Sequence, residues 1–568
     1  MLILFFIFSL LIFLSTIGYG FILVRFLKFE KFEYNYGLTG ILGLFCLSII
    51  SSYTHLFYPH NYTHNVIIIF LGLLGLILFN KKFLKKIKYI LVIFFLLFIS
   101  IIMSKTNEDF GYYHLPNSLQ FAQQKLQFGL GNLNHGFKHI SSLFNIMSLN
   151  YLPIFKFYLF NLPNLLFLTF LVIFLITEIY FRFKINLNLS NIILSLILVL
   201  FLVKFARLAE YGSDLSGQIV IAIYFFYLLE LFFNKKIKKE EKTNYLKISI
   251  IMIVFAITLK FISVIYSVLY LMLLYFVQNK RYLFLSLIKF NFLILIILSL
   301  SIFIFFNFSS TGCLVYPVEM TCFSEKFDWA LSHKVVKYLN FHYELWSKGG
   351  LGPNFSIDNQ EEYIVFLNWL PNWFSVYFIG KFSDYVLVLI SLILIFSIFY
   401  IKDIFFSKIK NNNDNLNFNV FFYLLLLLIF LLWFYNFPTL RYSGYIIVFL
   451  LVILPYSIFI SKRINFSKKN NIKKLSLIFL ISYSIFFTKN IIRINSELNL
   501  SEINHHNFKN FPFFWIDKKE YNEILINNHK LNLTKGSCWA VPSTCIKETS
   551  NLKIIKKNDY IFYINEKK

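Results

Sequence analysis

Two carboxylates stand side by side in "NEDFGYYHLPNS" at Glu108 and Asp109, and a third, Asp214, sits in "AEYGSDLSG". Two cations, Lys260 in "TLKFIS" and Arg441 in "NFPTLRYSG", occur in largely apolar surroundings. Carboxylates and cations together suit one kind of chemistry. A carboxylate takes the proton of an attacking hydroxyl, and cations stabilise the charge that develops on a phosphate leaving group. Such a leaving group needs no strong general acid. Asp109 is the candidate base, with Glu108 as the alternative, because their adjacency leaves the choice open. Arg441 suits the phosphate, since a guanidinium meets it through two hydrogen bonds at once. Lys260 interrupts "IIMIVFAITLKFISVIYSVLY" near its middle. A lysine there costs about 2.5 to 3.5 kcal/mol on insertion scales, so it should face a cavity or a partner. If the helix breaks at Lys260, that residue comes to an interface close to the other sites.

Each of these residues also has a plain structural use. Asp109 could be a solvated or capping acid, Asp214 could cap a helix starting near Leu215, and Arg441 could anchor to lipid headgroups. In an active site, Asp214 would orient the acceptor or share a divalent cation with Asp109. No HxH or DxD spacing supports a metal, so the metal is left unassigned: no cofactor is established by the sequence, and a divalent cation stays open. His114, Asn132, His135 and His139 lie in the same polar stretch, and the first three are candidates for substrate contact. "SKGGLGPNFS" has glycines but no GK[ST], and reads as a loop rather than a phosphate cradle.

The elements that must position these residues are membrane helices. The chain has 568 residues, 58% hydrophobic and 14% charged, with a mean hydropathy of +0.67; soluble domains carry about 25% charged residues. The charge of +26 reflects topology and abundant Lys codons rather than a nucleic-acid partner. Spans of about 20 apolar residues are expected at 2–24, 37–57, 65–80, 88–103, 153–181, 189–206, 217–233, 246–260, 262–278, 283–307, 383–401, 418–436, 442–461 and 474–490. The first lacks a basic leader and a cleavage site, so it should remain as a helix. Loops rich in Lys and Arg, such as those holding Arg25 and Lys31, Lys81 and Lys82, Lys235 to Lys242, Lys408 and Lys410, or Lys462 to Lys474, are assigned to the cytoplasm.

The alternate loops then face outward, together with 104–152, 308–382 and 491–568. Cys313 with Cys322 in "GCLVYPVEMTC", and Cys538 with Cys545 in "CWAVPSTC", fall in those outer segments. Disulfides persist in oxidising compartments, so both pairs are expected to bridge, in a place such as a bacterial periplasm. Within the first outer segment, "LPNSLQFAQQKLQF" reads as an amphipathic helix lying on the interface, with Leu119, Phe121, Ala122, Leu126 and Phe128 on its apolar side. "GLGNLNHGFKH" is a glycine-rich turn, and "NWLPNWFSVYF" suggests an interfacial aromatic belt. The expected architecture is an all-α polytopic bundle of about fourteen spans over 1–490, followed by a small outer segment, 491–568, held by a disulfide.

An acid in the first large outer loop, an interfacial helix and a multispanning chain resemble the GT-C superfamily of membrane glycosyltransferases. "DFGYYHLPNSLQFAQQKLQFGLGNLNHGF" is most similar to a bacterial multispanning family with an Asp, a Tyr-His-Leu and a Gly-Leu-Gly-Asn-Leu. "EYGSD", "TLKFIS" and "CWAVPSTC" extend the likeness. The resemblance implies a GT-C-like fold in a bacterial inner membrane. It implies a polyprenyl-phosphate sugar donor in the membrane lipid, a glycan or lipid acceptor, and a site on the periplasmic face serving cell-envelope synthesis. Arg441 stands where such enzymes keep a basic residue for the donor phosphate. Two other classes of multispanning protein fit the sequence less well. An O-antigen polymerase or ligase would use paired arginines in the large loop, and 308–382 holds no Arg. A transporter or flippase would distribute ionisable residues through several helices at mid-membrane.

Overall fold

The computed structural model describes the chain apart from residues 30, 31, 33, 80–82, 186–187, 234–237, 277–279, 353–354, 407–415, 465–468, 505–510, 548–551 and 567–568. Lys31, Lys81, Lys82, Lys235, Lys236, Lys408, Lys410 and Lys468 of the basic loops lie outside the described residues. The chain is mostly helical, and eleven of its described helices are long and apolar enough to cross a membrane. Three shorter apolar helices, Ile87–Phe98, Leu189–Lys204 and Phe261–Tyr275, accompany them. Each apolar run read from the sequence falls on one of these two sets.

Three helices bring the candidate residues to one end. Gly212–Phe233 carries Asp214 in its first turn, Lys239–Leu259 stops immediately before Lys260, and Leu440–Ser461 begins beside Arg441. Their far ends lead to Lys238 and Lys462. At 1.5 Å per residue, each separates its two ends by roughly 30 Å. That is the thickness of a bilayer core.

The three segments assigned outward pack into one layer at the end that holds Asp214, Lys260 and Arg441. Gln127–Phe128 of the first segment pairs in parallel with Tyr560–Asn565, which is antiparallel to Leu552–Lys557. Leu130, Leu133 and Phe137 share a buried cluster with Leu531, Ile546, Ile554 and Tyr563. Asn132 donates to the carbonyls of Trp329 (2.7 Å) and Tyr563 (3.0 Å), joining all three segments through one amide. Both disulfides, Cys313–Cys322 and Cys538–Cys545, are present in this layer.

Several local expectations differ from the structure. The interfacial helix is short, Leu115–Gln123, and buried on every side from Leu115 to Ala122. Its polar face is covered by protein instead of water: Gln120 donates to Gln127 (2.7 Å) and Asn117 to the Gly136 carbonyl (3.0 Å). The helix at the C-terminal boundary runs Lys469–Asn504, straight through residue 490, so the β-rich part of the tail starts only at Tyr521. The aromatic run leads into a candidate membrane span, Leu370–Phe399, so the end of the segment assigned to 308–382 is part of that helix. Trp369, immediately before that helix, and Trp373, within it, are buried.

A second polar cluster lies at the other end of the bundle. Arg182 pairs with Glu178 one turn away and with Glu230 at 3.2 Å, while Asn35 donates to Glu178 (2.6 Å) and Ser190 to Glu230 (2.5 Å). The triad is buried and knits Leu162–Ile185 to Gly212–Phe233. Ionisable groups are therefore not confined to the outer segments.

Candidate active site

Asp109 opens the turn Phe110–His114, whose start is fastened by Asn107. The Asn107 side-chain oxygen accepts from the Phe110 amide (3.2 Å), and its amide donates to the Glu210 carbonyl (2.8 Å). One residue thus ties "NEDF" to "EYGSD". Trp539, between the cysteines of the tail, closes on the same turn by donating its backbone N–H to the Gly111 carbonyl (2.9 Å). A Cβ on Gly111 would lie 2.1 Å from the indole, so only glycine lets the tail approach this closely.

Lys260 is placed by a break in its helix. Its backbone is extended (φ −151°, ψ 107°), and a 3-10 helix, Phe261–Tyr270, follows. Arg441 lies in a kinked loop where Ser443 has φ 63°. That loop is held from several directions. Tyr266 donates to the Ser443 carbonyl (2.6 Å), the Leu440 amide donates to the Tyr377 hydroxyl (2.7 Å), Trp373 donates to the Pro438 carbonyl (2.9 Å), and the Ile446 amide donates to Gln218 (3.1 Å).

These supports bring four ionised side chains into one chain. Lys260 Nζ is 2.7 Å from Asp214 Oδ1, Arg441 Nε is 2.9 Å from Asp214 Oδ2, and Arg441 Nη2 bonds Asp109 Oδ2. The Asp214 side chain is only 4% exposed, whereas Asp109 and Arg441 are 28% and 37% exposed. Asp214 is therefore the buried anchor, and the Asp109–Arg441 contact is the part open to a ligand. The charges sum to zero, so neither cation is left unbalanced in a dry setting. The Lys260 ammonium also lies 4.8 Å from the centre of the Tyr442 ring.

Burial pushes the Asp109 carboxyl up, but Arg441 beside it, with His114 and Lys260 nearby, outweighs that and leaves it below its ordinary value. His114 is buried against Gly212, where φ is +46° and an added Cβ would fall 2.1 Å from the imidazole. Burial lowers its pKa to about 4 against the pull of both acids. The ring is neutral at pH 7, and its Nε2 is buried with no hydrogen-bond partner.

Of the sequence candidates, Asp109, Asp214, Lys260, Arg441 and His114 thus come together. Glu108 is exposed and outside the ion-pair chain. Asn132 holds backbone of the outer layer. His135 lies to one side, its Nε2 3.0 Å from the Tyr343 hydroxyl and its ring 5.2 Å from that of His139. Among the described residues no group of three or more His, Cys, Asp or Glu could hold a metal ion. Tyr442, Tyr377, Asn107 and Trp539 were not singled out from sequence. The first and last gave a signal of sorts, Tyr442 by adjoining Arg441 and Trp539 by standing next to Cys538.

No curated protein and no solved structure matches the chain. Residues 1–448 match the family described as Domain of unknown function (DUF8201), a stretch that holds Asp109, Asp214, Lys260 and Arg441, and the chain belongs to that family.

Proposed function

We propose that the protein is a membrane glycosyltransferase of the GT-C kind, moving a sugar from polyprenyl phosphate to a hydroxyl of a glycan or lipid acceptor at the outer face of a bacterial inner membrane. The observation that carries this reading is the ion-pair chain Lys260–Asp214–Arg441–Asp109, set where a layer of outer loops meets the ends of the membrane helices. The eleven described helices that are long and apolar enough to cross a membrane are consistent with it.

The acceptor oxygen attacks the sugar C1 and the bond from C1 to the phosphate oxygen breaks. The acceptor proton goes to Asp109, and the bonding electrons leave with the phosphate. Arg441 and Lys260 stabilise the charge gained by that phosphate, and Asp214 holds both cations in place. An incoming donor phosphate competes with Asp109 for the Arg441 fork. The donor thereby frees the base at the moment the base is needed.

The test is release of polyprenyl phosphate by the full chain in liposomes, supplied with a panel of polyprenyl-phosphate sugars and lipid or glycan acceptors. Release that depends on acceptor, and that Arg441→Ala removes at equal protein abundance, supports the reading. No release with any donor overturns it.

A further inference from the structure

Six polar side chains meet at one point inside the helix bundle. Ser48, Ser52, Ser142, Asn145, Thr258 and Ser299 line a cavity of about 10 Å³, whose remaining wall is isoleucine and phenylalanine. All six are buried. Ser48, Thr258 and Ser299 belong to three different candidate membrane spans, and Asn145 belongs to the short helix Ser142–Ser148.

Hydroxyls inside a membrane commonly tie one helix to another. Here most of them do not. Ser48 donates to the Phe45 carbonyl (2.7 Å), Ser52 to the Ser48 carbonyl (2.7 Å) and Thr258 to the Phe255 carbonyl (2.9 Å), each within its own helix. With the Thr258 hydrogen spent, the Ser142 hydroxyl 3.1 Å away is the donor of that pair. Ser52 likewise has no hydrogen left, so the Asn145 amide nitrogen faces it at 2.7 Å and donates. The amide is thereby oriented, and its oxygen is the atom left over. Asn145 Oδ1 is buried with no hydrogen-bond partner, on a residue only 4% exposed.

Four hydroxyls and one amide oxygen thus line the cavity with lone pairs to offer and no hydroxyl hydrogen to give. The backbone adds to this. Helix Lys239–Leu259 ends one residue after Thr258, and the last carbonyls of a helix carry a partial negative charge. A cation needs only acceptors, whereas a water also accepts from a donor. Among the described residues no carboxylate lines the cavity, which disfavours a divalent ion, since such ions draw on acidic ligands. The volume is that of about one water. A bare sodium ion is smaller and fits, while a potassium ion would fill the hole to its walls.

We infer that this cavity binds a sodium ion, stripped of water and held by neutral oxygens, at the end of the helix that sets Lys260. The four ionised groups of the candidate active site already sum to zero. The ion is not needed to balance them, and the inference is independent of the glycosyltransferase reading.

The full chain, in nanodiscs of neutral lipid, is titrated with radioactive sodium in choline chloride, and the bound isotope is counted. Saturable binding of one sodium per chain is expected, displaced by unlabelled sodium but not by the same concentration of potassium. Asn145→Leu removes the unpartnered oxygen and fills the hole, and should abolish binding. Thr258→Val keeps the side-chain volume and should weaken binding at least about tenfold, the worth of one contact to a charged group. Asn145→Asp adds a charge at the same place and should tighten binding about tenfold or more. Asp109→Asn should leave binding unchanged. Wild type without saturable binding overturns the proposal and leaves water as the occupant. Binding undiminished in both Asn145→Leu and Thr258→Val, or equal competition by potassium, also overturns it. Loss of binding in Asp109→Asn would assign the ion to the active-site carboxylates instead. None of these outcomes uses a sugar donor, so none bears on whether transfer occurs.

Discussion

Asp109→Asn keeps the size of the side chain while removing its charge and its affinity for a proton. In the structure the four ionised groups sum to zero, and the substitution leaves one surplus positive charge at Arg441. Asp214 still holds Lys260 at 2.7 Å and Arg441 at 2.9 Å, so the anchor persists and membrane abundance should match wild type. Loss of a general base should lower kcat by about 10² to 10⁴. Donor affinity should move the other way. The Asp109 and Arg441 side chains are 28% and 37% exposed, and an ion pair that open to solvent is worth no more than about 1 kcal/mol. Freeing Arg441 from this competitor therefore tightens donor binding by at most about fivefold. The assay is polyprenyl phosphate release from liposomes at matched protein, with kcat and donor KM determined separately. A variant retaining more than a tenth of wild-type kcat refutes Asp109 as the base. A raised donor KM with unchanged kcat refutes the competition between Asp109 and the phosphate. A fall in abundance with unchanged specific activity reduces the cluster to a helix tie. Glu108→Gln should be nearly silent, because Glu108 is exposed and outside the chain of ion pairs.

Arg441→Lys keeps one positive charge but cannot bridge two acids with a planar fork, and donor KM measured in the same assay should rise about 10- to 100-fold. Gly212→Ala forces a side chain onto a backbone at φ +46° and into the His114 ring; the left-handed strain alone is about 1 to 2 kcal/mol, and the yield of folded protein in detergent should drop while Gly217→Ala, whose Cβ would meet nothing closer than 3.7 Å, is tolerated. Asp109 has its pKa depressed by Arg441 despite burial, so it stays ionised below the ordinary carboxylate range, and the acid limb of kcat/KM against pH should lie below that range; a limb between pH 5 and 7 would assign the base elsewhere. A cysteine at the exposed position Glu108 should react with a membrane-impermeant thiol reagent in intact cells, and one at the exposed position Lys238 should react only after lysis; the reverse pattern would turn the molecule over in the membrane.

What could be read in the sequence, and what could not, follows from how far each signal reaches along the chain. The apolar runs are local, and the helices fall on them. Lys260 stands out because a charge inside an apolar run must be compensated, and Asp214 and Arg441 stand out as charges in short loops between apolar runs, yet composition cannot name the compensating partner. Arg441 meets Asp109 across 332 positions, and only the packing of three helix ends brings them together. The same limit explains the misread helix. A periodic apolar stripe at Leu115–Gln123 shows that one side must be covered, but not whether lipid or protein covers it. Here the tail does so, through Thr544 beside Gln120 and Gln127 and through the strand that pairs Phe128 with Phe562. Glu178 and Arg182 were hidden for the opposite reason. Arg182 sits at a cytoplasmic-type basic boundary, where the charge bias that orients the helices masks a buried triad with Glu230. Two acid–base clusters of similar composition thus occupy the two ends of the bundle. The triad is fully buried and satisfied by Asn35 and Ser190, whereas the Asp109–Arg441 pair stays half-open to solvent. Only the second leaves a ligand room to displace one member of the pair. That difference in exposure, which no pattern of residue types encodes, is the physical ground for proposing Asp109 as the seat of the chemistry.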